Sequence, residues 1–303
     1  MLLIASPHFD AHVTPPGHPE RPRRAHVFNA VSARWKERGG RVAAPRPATR
    51  KELERVHAGR YVDLIASSAG QPGRMLDADT FTSPDSYDVA LLAAGAAVQA
   101  MEHALDHGDP AFALVRPPGH HAERDRAMGF CLFNNVAVAA GAALARGLTR
   151  VAIVDIDVHH GNGTQATFYD EPRVLYVSTH QYPFYPGTGA ADETGAGAGQ
   201  GFTLNVPLPA GSTDQDYVRA YEGIVARLRD YTPELLLISA GFDAHAEDPL
   251  ASMFMTEKGY ARIARMLVDA CACPVALVAE GGYDLEALRA CLDATILAID
   301  HTI

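Results

Sequence analysis

Three short segments of this 303-residue chain place titratable side chains at spacings that suit chemistry. The first is V-D-I-D-V-H-H-G-N-G, Val154 to Gly163. Strand side chains alternate with period two, so an extended chain here turns Asp155, Asp157 and His159 to one side and Ile156 and Val158 to the other. Two carboxylates and an imidazole then point together. An Asp and a His at this spacing supply two ligands for a borderline or hard divalent cation, and Asp243, after another apolar run, supplies a third. Three protein ligands with open positions is the pattern of a catalytic metal centre rather than a structural one. A D-x-D-x-H segment in isolation can serve hydrogen bonds and ion pairs alone. Here, however, it extends a strongly apolar run, and burying two like charges side by side without a cation is costly, which favours the metal.

The second segment is R-P-P-G-H-H, Arg116 to His121, which sets two histidines in a rigid Pro/Gly turn. An imidazole, with its ordinary pKa of about 6.5, is the natural proton acceptor and donor for an activated water. The third is E-G-G-Y, Glu280 to Tyr283. Its glycines, Gly281 and Gly282, permit close approach of backbone to a site, and Tyr283 can donate a hydrogen bond to a developing oxyanion. Taken singly, a histidine pair reads as surface and a tyrosine in a turn as packing. Their common placement after apolar runs is what sets them apart.

Those apolar runs are Ala111 to Val115, Val151 to Asp157, Val174 to Ser178, Leu235 to Ser239 and Val275 to Ala279, each read as a buried strand. Helical patterns cover Arg23 to Lys36, Pro84 to His107, Asn134 to Ala145, Asp214 to Arg229, Glu257 to Ala270 and Leu285 to Ile299. Start signals include Ser83 before Pro84 at a first helical position, Thr49-x-x-Glu52 and Thr213-x-x-Asp216. Strands alternating with helices predict an α/β fold with a mainly parallel sheet covered on both faces. In such sheets ligands bind beyond the carboxyl ends of the strands. The polar clusters Arg116 to His121, Asp155 to His160, Ser178 to His180, Gly241 to Asp243 and Glu280 to Tyr283 all follow strands at that end. One composite active site is the expectation.

Composition bounds the rest. The chain is 48% hydrophobic and 20% charged, enough apolar content for a large core, and no linker divides it, so residues 1–303 read as one domain. A net charge of −10 with no basic run excludes nucleic acid as a partner. Cys131, Cys271, Cys273 and Cys291 include no C-x-x-C pair and read as reduced, mostly buried thiols. The opening MLLIASPHFD is too short an apolar stretch for a signal peptide, and nothing later approaches a membrane span, so a cytoplasmic location without a membrane partner is expected. A homo-oligomer is compatible with the sequence.

Six ordered motifs now stand together: R-P-P-G-H-H, G-F-C-L-F-N-N (Gly129 to Asn135), D-I-D-V-H-H-G-N-G, Y-P-G-T-G (Tyr185 to Gly189), G-F-D-A-H (Gly241 to His245) and E-G-G-Y. The series resembles the arginase/deacetylase superfamily, in particular class II histone deacetylases and bacterial histone deacetylase-like amidohydrolases. The likeness runs from H-P-E-R-P (His18 to Pro22) to Tyr283. It implies that Asp157, His159 and Asp243 bind one zinc ion, that His121 is general base and then general acid, and that His120 is its electrostatic partner. It further implies that Asp155 orients His120, that Asn162 partners His121, and that Tyr283 polarises the substrate carbonyl. The implied reaction is amide hydrolysis by metal-activated water on an acetylated lysine side chain or a small N-acyl amine. Phe130 and Tyr185 would line the tunnel, the Gly129 carbonyl would accept the amide N–H, Gly281 and Gly282 would approach the substrate, and Asp79 would hold it at the rim, with Asp77 close by. A structural potassium near Asp155, Asp157, His159, Ser178 and Thr179 is also implied.

Some positions choose between subtypes. Asn162 stands where class I enzymes of this superfamily carry an aspartate, which implies a less cationic His121. Leu250 stands where the polyamine-specific member has a glutamate, and Gln71 to Asp79 is too short for the insertion of bacterial acetylpolyamine amidohydrolases. An acetylpolyamine amidohydrolase is thus the alternative rather than the first reading. A binuclear ureohydrolase needs more bridging carboxylates, and His245 stands where a second acid would be expected. A silent binding module would have lost part of the reaction set, and here the whole set is present.

Overall fold

In a computed structural model describing residues 1–300, every apolar run singled out above is a strand of one eight-stranded sheet. The strands are β1 (Leu2–Ile4), β2 (Arg41–Ala43), the outlying β3 (Met75–Asp77) and β4 (Thr80–Phe81), β5 (Ala111–Ala113), β6 (Val151–Asp155), β7 (Val174–Gln181), β8 (Thr203–Leu208), β9 (Leu235–Ala240) and β10 (Val275–Ala279). The helices are α1 (Arg23–Glu37), α2 (Arg50–Leu53), α3 (Gly59–Ala66), α4 (Ser86–His107), α5 (Asn135–Ala145), α6 (Asn162–Phe168), α7 (Asp214–Tyr231), α8 (Glu257–Ala270) and α9 (Leu285–Ile299). The sheet order is β2-β1-β5-β10-β9-β6-β7-β8, and every pairing in it is parallel. β3 and β4 pair antiparallel as a separate hairpin.

Strand alternation divides the core into two layers. From β9, Leu235 and Leu237 join the cluster packed under α2 to α5, whereas Leu236 and Ile238 join the cluster under α1 and α7 to α9. The fold is therefore an α/β/α sandwich around a parallel sheet. α8 shows why its sequence folds this way: Tyr260, Ile263, Ala264, Leu267 and Val268 recur at helical spacing and are buried. Burying a side chain such as Ile263 stabilises the fold by roughly 1.5–3 kcal/mol, and Ile263→Ala would cost about 2–5 kcal/mol. The helix starts where Thr256 Oγ1 accepts the Gly259 amide.

The structure revises several boundaries. α4 begins at Ser86, because Ser83 and Pro84 are spent in a turn in which Ser83 N donates to Ser86 Oγ (2.6 Å) and Ser86 N to Ser83 O (3.0 Å). The capping pairs behave as read: Glu52 accepts from Thr49 N (2.7 Å) and Asp216 from Thr213 N (2.9 Å). β1 and β2 are three residues each, too short to register as periodic runs, and β8 is a half-exposed edge carrying Asn205 and Pro207. Cys131 and Cys291 are buried as expected, but Cys271 and Cys273 are half-exposed, since they lie in the surface connection between α8 and β10. Among the described residues no helix is long and apolar enough to cross a membrane.

Candidate active site

β6 ends at Asp155, two residues short of the expected limit, and the chain beyond it advances by Asx turns rather than by strand pleat. Asp155 Oδ1 accepts the amide of Asp157 (3.2 Å), and Asp157 Oδ1 accepts that of His159 (2.9 Å). The outcome still separates the faces, because Ile156 and Val158 enter the same core layer as Val154. Asp243, beyond the end of β9, accepts the Val158 amide at 3.0 Å, and the Gly281 amide, beyond β10, donates to Asp157 Oδ2 at 2.9 Å. Asp157, His159 and Asp243 are thereby drawn together, with one donor atom from each lying within 4.8 Å of the others. A Cβ on Gly281 would collide with both carboxylates, so only glycine permits this approach.

This donor set fits a divalent cation. Both carboxylates are fully buried, and among the described residues no lysine or arginine pairs with either. His159 Nδ1 lies 3.1 Å from Asp157 Oδ1 and 3.2 Å from Asp243 Oδ2. Burial opposes a charge on His159, yet the two carboxylates push its pKa up to about 10, so the cluster demands a positive charge at its centre. A cation bound by the three residues supplies that charge in place of the imidazole proton.

The histidine pair is held by contacts the sequence did not announce. Glu280 Oε2 accepts the amides of Gly119 (2.6 Å) and His120 (3.2 Å), and its other oxygen accepts from Ser239 Oγ (2.8 Å). Arg116 donates bidentately to the buried Glu20, with both bonds at 2.7 Å, and so ties the turn to the H-P-E-R-P segment. His120 Nδ1 lies 3.0 Å from Asp155 Oδ2, and His121 Nδ1 lies 2.8 Å from Asn162 Oδ1. The Asn162 amide in turn donates from Nδ2 to Glu123 Oε1 at 2.8 Å. With its N–H₂ turned to a carboxylate, Asn162 presents its oxygen to His121, which must donate from Nδ1–H and keep Nε2 free to accept a proton. Burial works against charge on His120, but Asp155 and Asp157 outweigh it and hold its pKa well above the ordinary value. Burial and the neighbouring His120 and His159 push His121 well below its own. The two adjacent rings lie 4.0 Å apart, and their surroundings drive their pKa values in opposite directions.

Over these groups opens a cavity of about 200 Å³ lined by Asp79, His121, Gly129, Phe130, His159, Phe184, Tyr185, Leu250 and Tyr283. Tyr283 is fixed at its backbone by Asp248 Oδ2 (2.6 Å) and at its ring by the Arg24 guanidinium 5.1 Å away. Arg24 also donates to the carbonyls of Gly282 (2.8 Å) and Glu280. Burial raises the Tyr283 hydroxyl well above its ordinary pKa, so it remains a donor. Gly129 and Phe130 both take positive φ (57° and 68°), a cost that Phe130 bears because the turn aims its ring into the cavity. Asp79 Oδ1 accepts the Gly129 amide at 3.1 Å, whereas Asp77 pairs with Arg126 at 2.9 Å, which distinguishes the two rim acids. The Gly129 carbonyl receives Cys131 Sγ at 3.2 Å. Gly281 and Gly282 are not among the residues lining the cavity: the Gly281 amide holds Asp157, and the Gly282 carbonyl accepts from Arg24.

Ser178 and Thr179 stand at the end of β7 with their hydroxyls engaged, Ser178 Oγ by His180 (2.9 Å) and Thr179 Oγ1 by Tyr221 (3.1 Å). His245 reaches toward Glu257 at 3.9 Å and not toward the triad, and among the described residues no other group of three metal-ligating side chains forms. A larger hollow of about 600 Å³, lined by Trp35, Arg38 and Arg41 among others, is remote from the triad. Sequence reasoning missed Phe184, whose ring stacks on His159 at 5.6 Å, as well as Glu123, Asp248 and Arg24. Phe184 had a signal in the aromatic run around Tyr185. The others sit beside quoted motifs but act through contacts distant in sequence.

Residues 18–299 match the histone deacetylase domain family. A probable deacetylase of Methanothermobacter thermautotrophicus is 42% identical over 293 residues, which cover 95% of this chain and 87% of that protein. The histone deacetylase-like amidohydrolase of Pseudomonas aeruginosa is 42% identical over 245 residues, 78% of this chain and 64% of its own length. Histone deacetylase 15 of Arabidopsis thaliana is 41% identical over 297 residues, 95% of this chain but only about half, 54%, of that protein's length. The crystal structure of the HDA15 HD domain superposes with a TM-score of 0.94 at 38% identity, covering 99% of this chain and 90% of that one. With its motifs converging on one buried Asp-His-Asp cluster and its sheet matching that domain, this chain belongs to the histone deacetylase family of hydrolases.

Proposed function

We propose that the protein is a zinc-dependent deacylase that hydrolyses the amide of acetyl-lysine or a related N-acyl amine. The observation that carries this reading is the pair of adjacent histidines, His120 held by Asp155 at 3.0 Å and His121 by the Asn162 amide oxygen at 2.8 Å, beside a buried Asp157-His159-Asp243 cluster. A zinc ion held by those three residues would polarise the amide carbonyl and acidify a water molecule. His121, neutral and with Nε2 free, takes the proton from the attacking water and later returns it to the leaving amine. His120, held cationic by Asp155 and Asp157, stays charged throughout. The Tyr283 hydroxyl donates to the oxyanion as it develops. Phe130, Phe184 and Tyr185 form aromatic walls that suit a slender aliphatic stem, and Asp79 stands at the mouth to accept an N–H of the substrate.

Leu250 leaves the mouth without an acid at the position read as a polyamine gate, so acetylpolyamine hydrolysis is the secondary reading. The potassium implied by the resemblance would draw mainly on backbone carbonyls of Asp155, Asp157, His159, Ser178 and Thr179, since the hydroxyls of the last two are engaged. A reducing cytoplasmic setting fits four free cysteines.

The test is steady-state hydrolysis of a fluorogenic acetyl-lysine peptide and of acetylspermidine by zinc-loaded protein, beside Tyr283→Phe and His121→Ala. Turnover that falls by roughly 10²–10³-fold in Tyr283→Phe supports the reading, since that hydroxyl is an oxyanion donor. Absence of turnover on both substrates, or undiminished activity in both variants, would overturn it.

A further inference from the structure

At the opposite end of β10 from Tyr283, the connection from α8 carries Cys271 and Cys273, which take no part in the machinery above. α8 ends at Ala270, Cys271 is extended (φ −122°, ψ 127°), and the chain bends at Ala272 and Cys273 before Pro274. The bend leaves two cysteines separated by one residue facing the same surface depression. Both side chains are free and half-exposed, and both line an open concavity of about 380 Å³ with Gly108, Pro110, Val268 and Asp269. The Arg229 guanidinium of α7 acts on the Cys271 thiol.

We propose that Cys271 and Cys273 form a reversible dithiol–disulfide site that reacts with low-molecular-weight disulfides. A nucleophilic thiol needs a stabilised thiolate, access and, for reversibility, a resolving thiol nearby. Cys271 is half-exposed on an open concavity that Cys273, two residues on, also lines, so access and a resolving thiol are both present, and the Cys273 side chain and the Arg229 guanidinium together hold its pKa below the ordinary value. Cys131 and Cys291 have none, being buried in surroundings that raise their thiols. In the first step the Cys271 thiolate attacks one sulfur of a disulfide RSSR, forming a mixed disulfide and expelling RS⁻. Cys273 then loses its proton and attacks the Cys271 sulfur, closing the 271–273 disulfide and expelling the second RS⁻. Two protein thiols are oxidised, one RSSR is reduced to two thiols, and the released protons reside on them.

The experiment exposes the full-length protein to oxidised glutathione and follows intact mass and free thiols, beside Cys271→Ser, Cys273→Ser and Cys291→Ser. The expected wild-type product has lost two hydrogens and two of its four titratable thiols, with the bond mapped to 271–273. Cys273→Ser should stop at one glutathione adduct on Cys271, Cys271→Ser should react at least tenfold more slowly, and Cys291→Ser should behave as wild type. Retention of all four thiols in wild type overturns the proposal. So does an adduct that never resolves in wild type, or first attack at Cys273. Retained thermal unfolding in each serine variant separates a chemical effect from a folding one.

Discussion

Asn162 faces His121, the proposed general base, and replacing it with aspartate should move the pH dependence of the proposed activity in a defined direction. In the native site a neutral amide oxygen lies 2.8 Å from His121 Nδ1, and burial with two neighbouring histidines keeps that ring's pKa well below its ordinary value. The base is active only when neutral, so kcat/KM rises with pH through the pKa of His121, and in the wild type that rise falls on the acid side. Asn162→Asp puts a full negative charge against the imidazole. With charge centres about 4 Å apart and an effective dielectric constant of about 20, the attraction is about 4 kcal/mol, or roughly three pH units. Glu123 limits the gain, because it would now face the introduced carboxylate across the space where Asn162 Nδ2 donates at 2.8 Å, and two carboxylates so placed share a proton. The double variant Asn162→Asp/Glu123→Gln removes that limit and should show the larger shift. The assay is kcat/KM for an acetyl-lysine peptide from about pH 5 to 9, with metal occupancy measured at each point so that loss of the ion is not mistaken for protonation of the base. An acid limb that moves to higher pH in the single variant and further still in the double one is the expected result. A limb unmoved within roughly half a unit in the double variant would refute the assignment of His121 as the titrating base.

Other consequences are open to direct measurement. Metal analysis should give one divalent ion per chain, lost in Asp243→Asn; two ions per chain would instead support a binuclear site. Burial pushes His12, His57 and His180 each down to about 4, so these groups are neutral in the folded protein and gain protons more readily when it unfolds. Their contribution is present above about pH 6.5 and is lost as pH falls toward 4, by at most about 3 kcal/mol each. Thermal unfolding should therefore drop steeply over that window, and less steeply in His57→Asn; equal slopes would contradict the assignment of His57. Leu250→Glu should raise acetylspermidine hydrolysis relative to the acetyl-lysine peptide by roughly two- to fivefold, the worth of a partly exposed ion pair. A ratio that stays constant would remove Leu250 from the selectivity of the mouth.

The class of fold and the clustering of Asp157, His159 and Asp243 were legible in the chain alone. Apolar runs such as Leu235 to Ser239, bounded by helical patterns, admit few arrangements other than a parallel sheet covered on both faces, because each run is too apolar to leave either face in water. Asp157, His159 and Asp243 could be read for a related reason: buried carboxylates beside an imidazole require a cation, wherever the chain places them. Whatever depends on contacts across long separations was settled by folding. Only packing shows that Glu280, at the end of β10, carries the amides of Gly119 and His120, or that Arg24 on α1 steadies the ring of Tyr283. Orientation was equally hidden, since Glu123 fixes the Asn162 amide and through it the tautomer of His121, a chain of hydrogen bonds that no spacing encodes. Gly281 and Gly282 make the same point from the other side. The absence of a Cβ at Gly281 lets two carboxylates approach one centre, a role that the motif alone does not show. Periodicity and charge are local properties of the chain, whereas the partner of a buried polar group is chosen by whatever the folded strands bring within hydrogen-bond reach.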